Sequence, residues 1–162
     1  MRLVVRTAGL VGAVAVAAML MVPADSLVAA SGEEAIKERK ALMKNIVNNW
    51  KPIKAYAKGT GTPADVAKHA AALTEDSKRI VALFPKGTGR GDFPDKVTRA
   101  LPAIWNDWSE FEKIANVMIE ESEKLERVAK AGNKEAIVQQ IGLTGRLGCG
   151  GCHKPFRGAK VK

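Results

Sequence analysis

The chain has 162 residues, 46% of them hydrophobic, and a formal net charge of +9. This length suits one domain, large enough to bury a real core. The basic residues are scattered among acidic ones with few aromatics between them. That excludes a nucleic-acid interface and leaves solvated helix faces plus a docking surface for an acidic partner.

The chain opens with MRLVVRTAGLVGAVAVAAMLMVPADSLVAA. Arg2 and Arg6 precede an apolar run from Ala8 to Val22, and a polar break follows at Pro23 to Ser26. Val28, Ala29 and Ala30 supply small residues ahead of a cut before Ser31. This is the layout of a secretory signal peptide. The alternative is an uncleaved anchor, but the run is shorter than the roughly 20 residues that span a bilayer as a helix. Residues 1–30 are therefore expected to be removed, leaving 31–162 as one exported, periplasmic domain without stable membrane insertion.

Four segments carry helical periodicity. The first is expected over Glu33 to Lys58, with Ile36, Arg39, Met43, Ile46, Val47, Trp50 and Ile53 on one face. Ser31 and Glu34 resemble a capping box, and Pro52 should kink or end the helix. The second is expected over Pro63 to Leu83, with Thr62 as N-cap and Val66, Ala70, Leu73, Ile80 and Leu83 facing inward. FPKGTGRGDFPD then forms a long Gly- and Pro-rich loop of the kind that is functional or mobile. The third is expected over Pro102 to Lys130, striped by Ile104, Trp108, Phe111, Ala115, Met118, Ser122, Leu125 and Ala129. Gly132 ends it and Asn133 caps the fourth, expected over Lys134 to Arg157. The fourth stripe runs through Ile137, Gln140, Ile141, Thr144, Cys149, Cys152, His153 and Phe156, and is less apolar than the others. No strand-like alternation of useful length appears. Four amphipathic helices predict an all-α, four-helix bundle.

The only two cysteines, Cys149 and Cys152, stand three apart with His153 directly after them, in LGCGGCHKPFR. A redox dithiol of the thioredoxin kind wants such a pair at a helix start beside a strand. A structural zinc site wants four ligands, and the remaining histidine, His69, is distant in sequence. Covalent haem c needs the two thiols and one imidazole that are present. On a helix, positions i, i+3 and i+4 share a face. Cys149 and Cys152 can therefore form thioethers with the two haem vinyl groups while His153 presents its imidazole to the iron. Gly150 and Gly151 leave no bulk between the thiols.

A Cys-x-x-Cys-His motif that closes a chain of four helices resembles the class II c-type cytochromes, the cytochrome c-prime family. AIKERKALMK is similar to the family's first-helix motif, LFPKGTGRGD and ALPAIWNDWSEF to its loop and third-helix start, and GCGGCHKPFR to its haem motif. The resemblance covers nearly all of 31–162. It implies an antiparallel, left-handed four-helix bundle enclosing one covalently bound haem c. It places Met43 opposite His153, as a sixth iron ligand in low-spin members. Many high-spin members have a bulky apolar residue there and a five-coordinate iron, and a few keep a methionine that does not bond. It also implies that Arg39 meets a haem propionate, that Lys40 adds a second contact, that Thr88 and Gly89 line the haem edge, and that Arg157 lies near the proximal face. Arg39 on an inward-looking stripe needs a buried anion in any case. Met118 is expected in the core, His69 at an edge, and Trp50, Trp105 and Trp108 in the core or haem wall.

The function expected from these readings is one-electron transfer in the periplasm through a His/Met-ligated haem iron, with redox partner proteins that offer acidic surfaces. The alternative is a five-coordinate haem protein that binds nitric oxide or carbon monoxide. A haem enzyme is not expected, since no distal acid–base set accompanies Met43. A homodimer is compatible with the resemblance.

Overall fold

The computed structural model describes residues 24–161, with side chains from residue 31 onward. Residues 1–23, most of the expected signal peptide, lie outside the described residues. Helix α1 runs over Ala24–Tyr56, α2 over Pro63–Lys78, α3 over Ala103–Asn106, α4 over Trp108–Ala131, α5 over Lys134–Leu143 and α6 over Gly151–Phe156. A 3-10 turn spans Val81–Leu83, and a π-helical turn over Thr144–Gly150 joins α5 to α6.

Helices α1, α2, α4 and the composite α5–π–α6 rod are the four members of an antiparallel bundle. Helix α2 packs against α4 and α1, and α4 packs against the whole composite rod. Each bundle helix follows from its own sequence. At the start of α2, the Thr62 hydroxyl accepts from the Asp65 amide at 3.2 Å, while Asp65 Oδ2 accepts from the Thr62 amide at 2.9 Å. Thr62 is thus the expected N-cap, with Pro63 in the first turn, and its reciprocal bond with Asp65 adds to that expectation. Asn133 caps α5 by accepting from the Ala136 amide at 2.8 Å. Gly132 ends α4 at φ +80°, a left-handed conformation that glycine adopts without cost.

The third stripe is buried almost as read: Ile104, Phe111, Ala115, Met118, Ser122, Leu125 and Ala129 all face inward. They meet Ile53, Val66, Leu73 and Ile137 in one core. Burying side chains of this size stabilises the fold by about 1.5–3 kcal/mol each.

Four expectations need correction. Helix α1 begins at Ala24, so Ser31 lies within it rather than capping its start. Pro52 also lies within α1, so of the two effects expected of it, a kink or an end, the end is the one that does not occur, since helix continues to Tyr56. Val47 is 50% exposed and points away from the core, whose place on that turn is taken by Leu42 and Ile46. The second, third and fourth segments are not single α-helices: α2 stops at Lys78, and a 3-10 turn carries the chain through Leu83. Asp107, at φ −131° and ψ 62°, separates α3 from α4 and its carboxylate caps α4 through the Glu110 amide. The wide turn over 144–150 interrupts the fourth segment and contains Cys149.

Candidate functional site

The π-helical turn brings the cysteine motif against the bundle. Its glycines are the reason it fits. A methyl on Gly145 would lie 3.1 Å from the Trp50 ring of α1. One on Gly148 would overlap the Met118 sulfur of α4 and come within 3.3 Å of its Cα. One on Gly151 would touch Ile114, also on α4, at 3.6 Å. Wide turns of this kind recur at functional sites in helices. Cys149 lies in the π turn, while Cys152 and His153 lie in α6, so the motif straddles the junction rather than sitting on one α-helix.

Both thiols are free and half-buried, packed against the edge of the core. Burial raises the Cys149 thiol above its ordinary value, and burial together with the neighbouring Cys149 pushes Cys152 up to about 11. A redox dithiol needs the opposite, a lowered value that exposes the thiolate. Among the described residues, no three His, Cys, Asp or Glu side chains converge as a metal cluster. His69 stands apart, half-buried, with Nδ1 3.1 Å from Asn49 Oδ1. Asn49 in turn donates to Asp76 at 3.1 Å, so His69 belongs to a polar seam between α1 and α2. His153 is half-buried and held down to about 4, first by burial and then by Arg157 and Arg99. At neutral pH it is an uncharged imidazole with a lone pair to offer.

Helix arithmetic places Met43 relative to the motif. At one end of α1, Trp50 meets Gly145. At the other, Arg39 donates to Thr98, whose neighbours Arg99 and Leu101 bond to Gly158 and Phe156 just past the motif. Helix α1 and the composite rod therefore run antiparallel. Met43 lies seven residues before Trp50, two turns along the same face, about 10 Å away. Seven residues beyond Gly145 is Cys152. Met43 thus stands about level with Cys152 and His153, half-buried at the edge of the core.

Arg39 is 5% exposed. Its Nη2 donates to the Thr88 carbonyl and to Thr98 Oγ1, each at 2.9 Å, and its Nη1 donates to Thr88 Oγ1 at 3.2 Å. The guanidinium lies 4.4 Å from the Phe84 ring centroid. Burial lowers its pKa to about 10, and among the described residues no carboxylate pairs with it. A buried cation committed to neutral acceptors, with Nε making no hydrogen bond among the described residues, fits a position beside a carboxylate from a bound group. Thr88 is buried beneath it. Gly89 is buried against Trp105, where a Cβ would lie 2.9 Å from Cη2 of the ring and closer still to Cζ3. Lys40 is exposed and makes no hydrogen bond or ion pair among the described residues. Arg157 is exposed, yet close enough to act on His153 and Cys152. Met118 is core, as expected.

The structure brings Cys149, Cys152, His153 and Arg157 together at the end of the rod, and Arg39, Thr88 and Gly89 together at the loop. Sequence reasoning missed Thr98 and Phe84, the further partners of Arg39, and Arg99, the second cation near His153. Phe84 carried a signal, being an apolar residue at the start of a Gly- and Pro-rich loop. Thr98 and Arg99 carried none. The donor set fits a haem: two protonated thiols for thioethers, one neutral imidazole, and a buried guanidinium for a carboxylate.

The family model described as Cytochrome C' matches residues 34–157. A cytochrome c' of Rhodopseudomonas palustris is 35% identical over 133 residues, covering 78% of this chain and 84% of its own. The solved cytochrome c' from Rhodobacter spheriodes is 31% identical with a TM-score of 0.67, covering 78% of this chain and 97% of its own. A solved cytochrome c' with an unusual ligand-controlled dimer dissociation is 28% identical with a TM-score of 0.69, covering 79% of this chain and 97% of its own. Bundle, cysteine pair and family match agree over the same residues, and on that agreement the chain belongs to the cytochrome c' family and carries one covalently attached haem c.

Proposed function

We propose that this chain binds a small diatomic molecule, nitric oxide or carbon monoxide, on the face of its haem opposite His153. The observation that carries the reading is that His153 is the sole imidazole beside the thiols, His69 being engaged with Asn49 in the polar seam between α1 and α2. The opposite face offers only the weak thioether of Met43 among apolar neighbours. Membership of the cytochrome c' family supports it, since five-coordinate members leave that face open. Bound haem supplies an iron that accepts a sixth ligand and exchanges one electron. Cys149 and Cys152 hold it by thioethers, and His153 binds the iron with its neutral imidazole. Arg39 neutralises a propionate, while Thr88 and Gly89 close the haem edge and Lys40 stays at the solvent rim. No residue is assigned to turnover.

One observation favours the His/Met electron-carrier reading: Met43 stands level with Cys152. The two readings separate in one experiment. The ferric protein is expected to be high-spin, to bind carbon monoxide readily once reduced, and to keep its spin state in Met43→Ala. A low-spin ferric spectrum with a far-red sulfur-to-iron band, abolished in Met43→Ala, would instead establish the electron carrier. Exposed Arg99, Lys154 and Arg157 around His153 support docking of an acidic redox partner. The dimer named for the 28% identical relative supports a homodimer here, and exposed Val47 on α1 offers it an apolar contact. Among the described residues no helix is long and apolar enough to cross a membrane. The leader at 1–30 supports export to the periplasm, which N-terminal sequencing of the exported protein checks against a start at Ser31.

A further inference from the structure

We propose that Arg90 is a positioning residue of the haem centre: it latches the loop after the 3-10 turn to the chain leaving α6, and so fixes the orientation of His153. The inference rests on His153 as iron ligand and not on which molecule binds opposite.

The loop from Thr88 to Leu101 is grasped on two sides. On one side Arg39 holds the Thr88 carbonyl and both threonine hydroxyls. On the other, Leu101 donates its amide to the Phe156 carbonyl at 3.1 Å, and Gly158 donates to Arg99 at 2.8 Å. Arg99 Nε returns a bond to the Gly158 carbonyl at 2.8 Å. Ala100 and Arg157 form an antiparallel bridge between these bonds. Residues 156–158 lie three to five positions after His153, so this bridge anchors the last turn of its helix.

Arg90 closes the bridge from outside. Its amide donates to Ala100 at 2.8 Å, and its Nε donates to the Thr98 carbonyl at 3.3 Å. Nη2 donates to the carbonyl of Ala159, and Nη1 lies 3.5 Å from Asp95 Oδ2. The side chain is 14% exposed, unusually covered for a loop arginine. Gly158 lies directly under the guanidinium: a Cβ there would sit 2.7 Å from Arg90 Cζ and overlap Nη1. One fork thus spans loop and tail, and only a residue without a side chain admits it. Lysine carries a point charge and cannot serve these divergent acceptors at once.

The test uses ferrous holoprotein. The iron–histidine stretch is read by resonance Raman, and amide hydrogen exchange is read at Leu101 and Gly158. Arg90→Gln is expected to shift or broaden the stretch and to speed exchange at both amides at least about tenfold, with helical circular dichroism retained. Gly158→Ala displaces the fork from below and is expected to do the same. The double variant should add little, because both remove one latch. Arg127→Gln, on the outer face of α4, serves as the control and should leave both readouts unchanged. If Arg90→Gln does not fold, Gly158→Ala decides. An unshifted stretch with unchanged exchange in folded variants, or fully additive effects in the double, would overturn the proposal.

Discussion

Replacing Arg39 by leucine isolates the contact between α1 and the loop, and the structure sets the size of the effect. Three buried hydrogen bonds disappear, two to hydroxyls and one to the Thr88 carbonyl. Bonds from a charged donor contribute about 1.5–3 kcal/mol each, a gross loss of roughly 4–9 kcal/mol. Two acceptors keep other partners, since Thr88 Oγ1 still donates to Pro85 and Thr98 Oγ1 still accepts from Ala100. The carbonyls of Thr88 and, more weakly held at 3.4 Å, of Leu83 are the groups left without this donor. Against this, removing the cation relieves its desolvation. The fall of its pKa from 12.5 to about 10 corresponds to roughly 3 kcal/mol. The net expectation is a loss of about 1–6 kcal/mol, toward the upper end if stacking on Phe84 adds its share. Urea unfolding of the ferric holoprotein, followed by helical circular dichroism, measures it. A loss under 1 kcal/mol with an unchanged denaturant slope would refute the reasoning and make Arg39 a spectator at the edge of the stripe. A loss well above about 6 kcal/mol, with a shifted haem potential, would point to a propionate partner as well.

Gly89→Ala should destabilise the protein by about 1–3 kcal/mol, since its methyl collides with Trp105, whose Nε1 is tied to the Phe84 carbonyl at 3.0 Å; a neutral effect in thermal unfolding would mean that the ring gives way freely. In the haem-free chain, where no iron holds the imidazole, His153 is depressed from 6.5 to about 4, so its contribution to stability is fully present above pH 6.5 and is lost as pH falls toward 4, by about 2 kcal/mol after allowing for solvent at a half-buried site. Arg157→Gln removes a cation that disfavours the charged ring, raises the folded value, and should make that loss smaller; equal losses in urea titrations of the two haem-free proteins across pH 4–6.5 would contradict this. Cys149→Ala and Cys152→Ala should each leave haem held by a single thioether, seen as a blue-to-red change in the pyridine haemochrome band, and the double variant should release haem into acid acetone; haem retained by the double variant would refute thioether attachment.

The helices were legible where period and punctuation agreed. Thr62 with Asp65, Asn133, Gly132 and the stripe from Ile104 to Ala129 are local signals, and the structure follows them. The cysteine motif was legible because its chemistry is carried by three residue types at fixed spacing. The break at Asp107 was hidden because the apolar stripe continues through it, and aspartate reads equally well as a helix-surface residue. The partners of Arg39 were hidden for another reason. Two of its acceptors are carbonyl oxygens, which every residue owns, and loop residue Thr98 meets it only after the chain has turned back. Val47 was misplaced because four apolar residues on adjacent turns offer two faces, and packing against α2 selected the one with Leu42 and Ile46.

The wide turn at 144–150 changes the phase of everything after it. A turn closed by i→i+5 bonds takes one residue more than an α-turn, so it acts on the downstream helix as a one-residue insertion. One residue of α-helix is about 100° of rotation. The lag brings Cys152 and Phe156 back under the stripe through Ile137, Ile141 and Thr144, and all pack on the same core. Straightening the turn into α-helix without removing a residue would preserve the motif letter for letter and its position at the end of the bundle, yet carry the imidazole about 100° round the rod, more than a quarter of a circle. In this rod the aim of the iron ligand is encoded by the length of a glycine-rich turn as much as by the ligand itself.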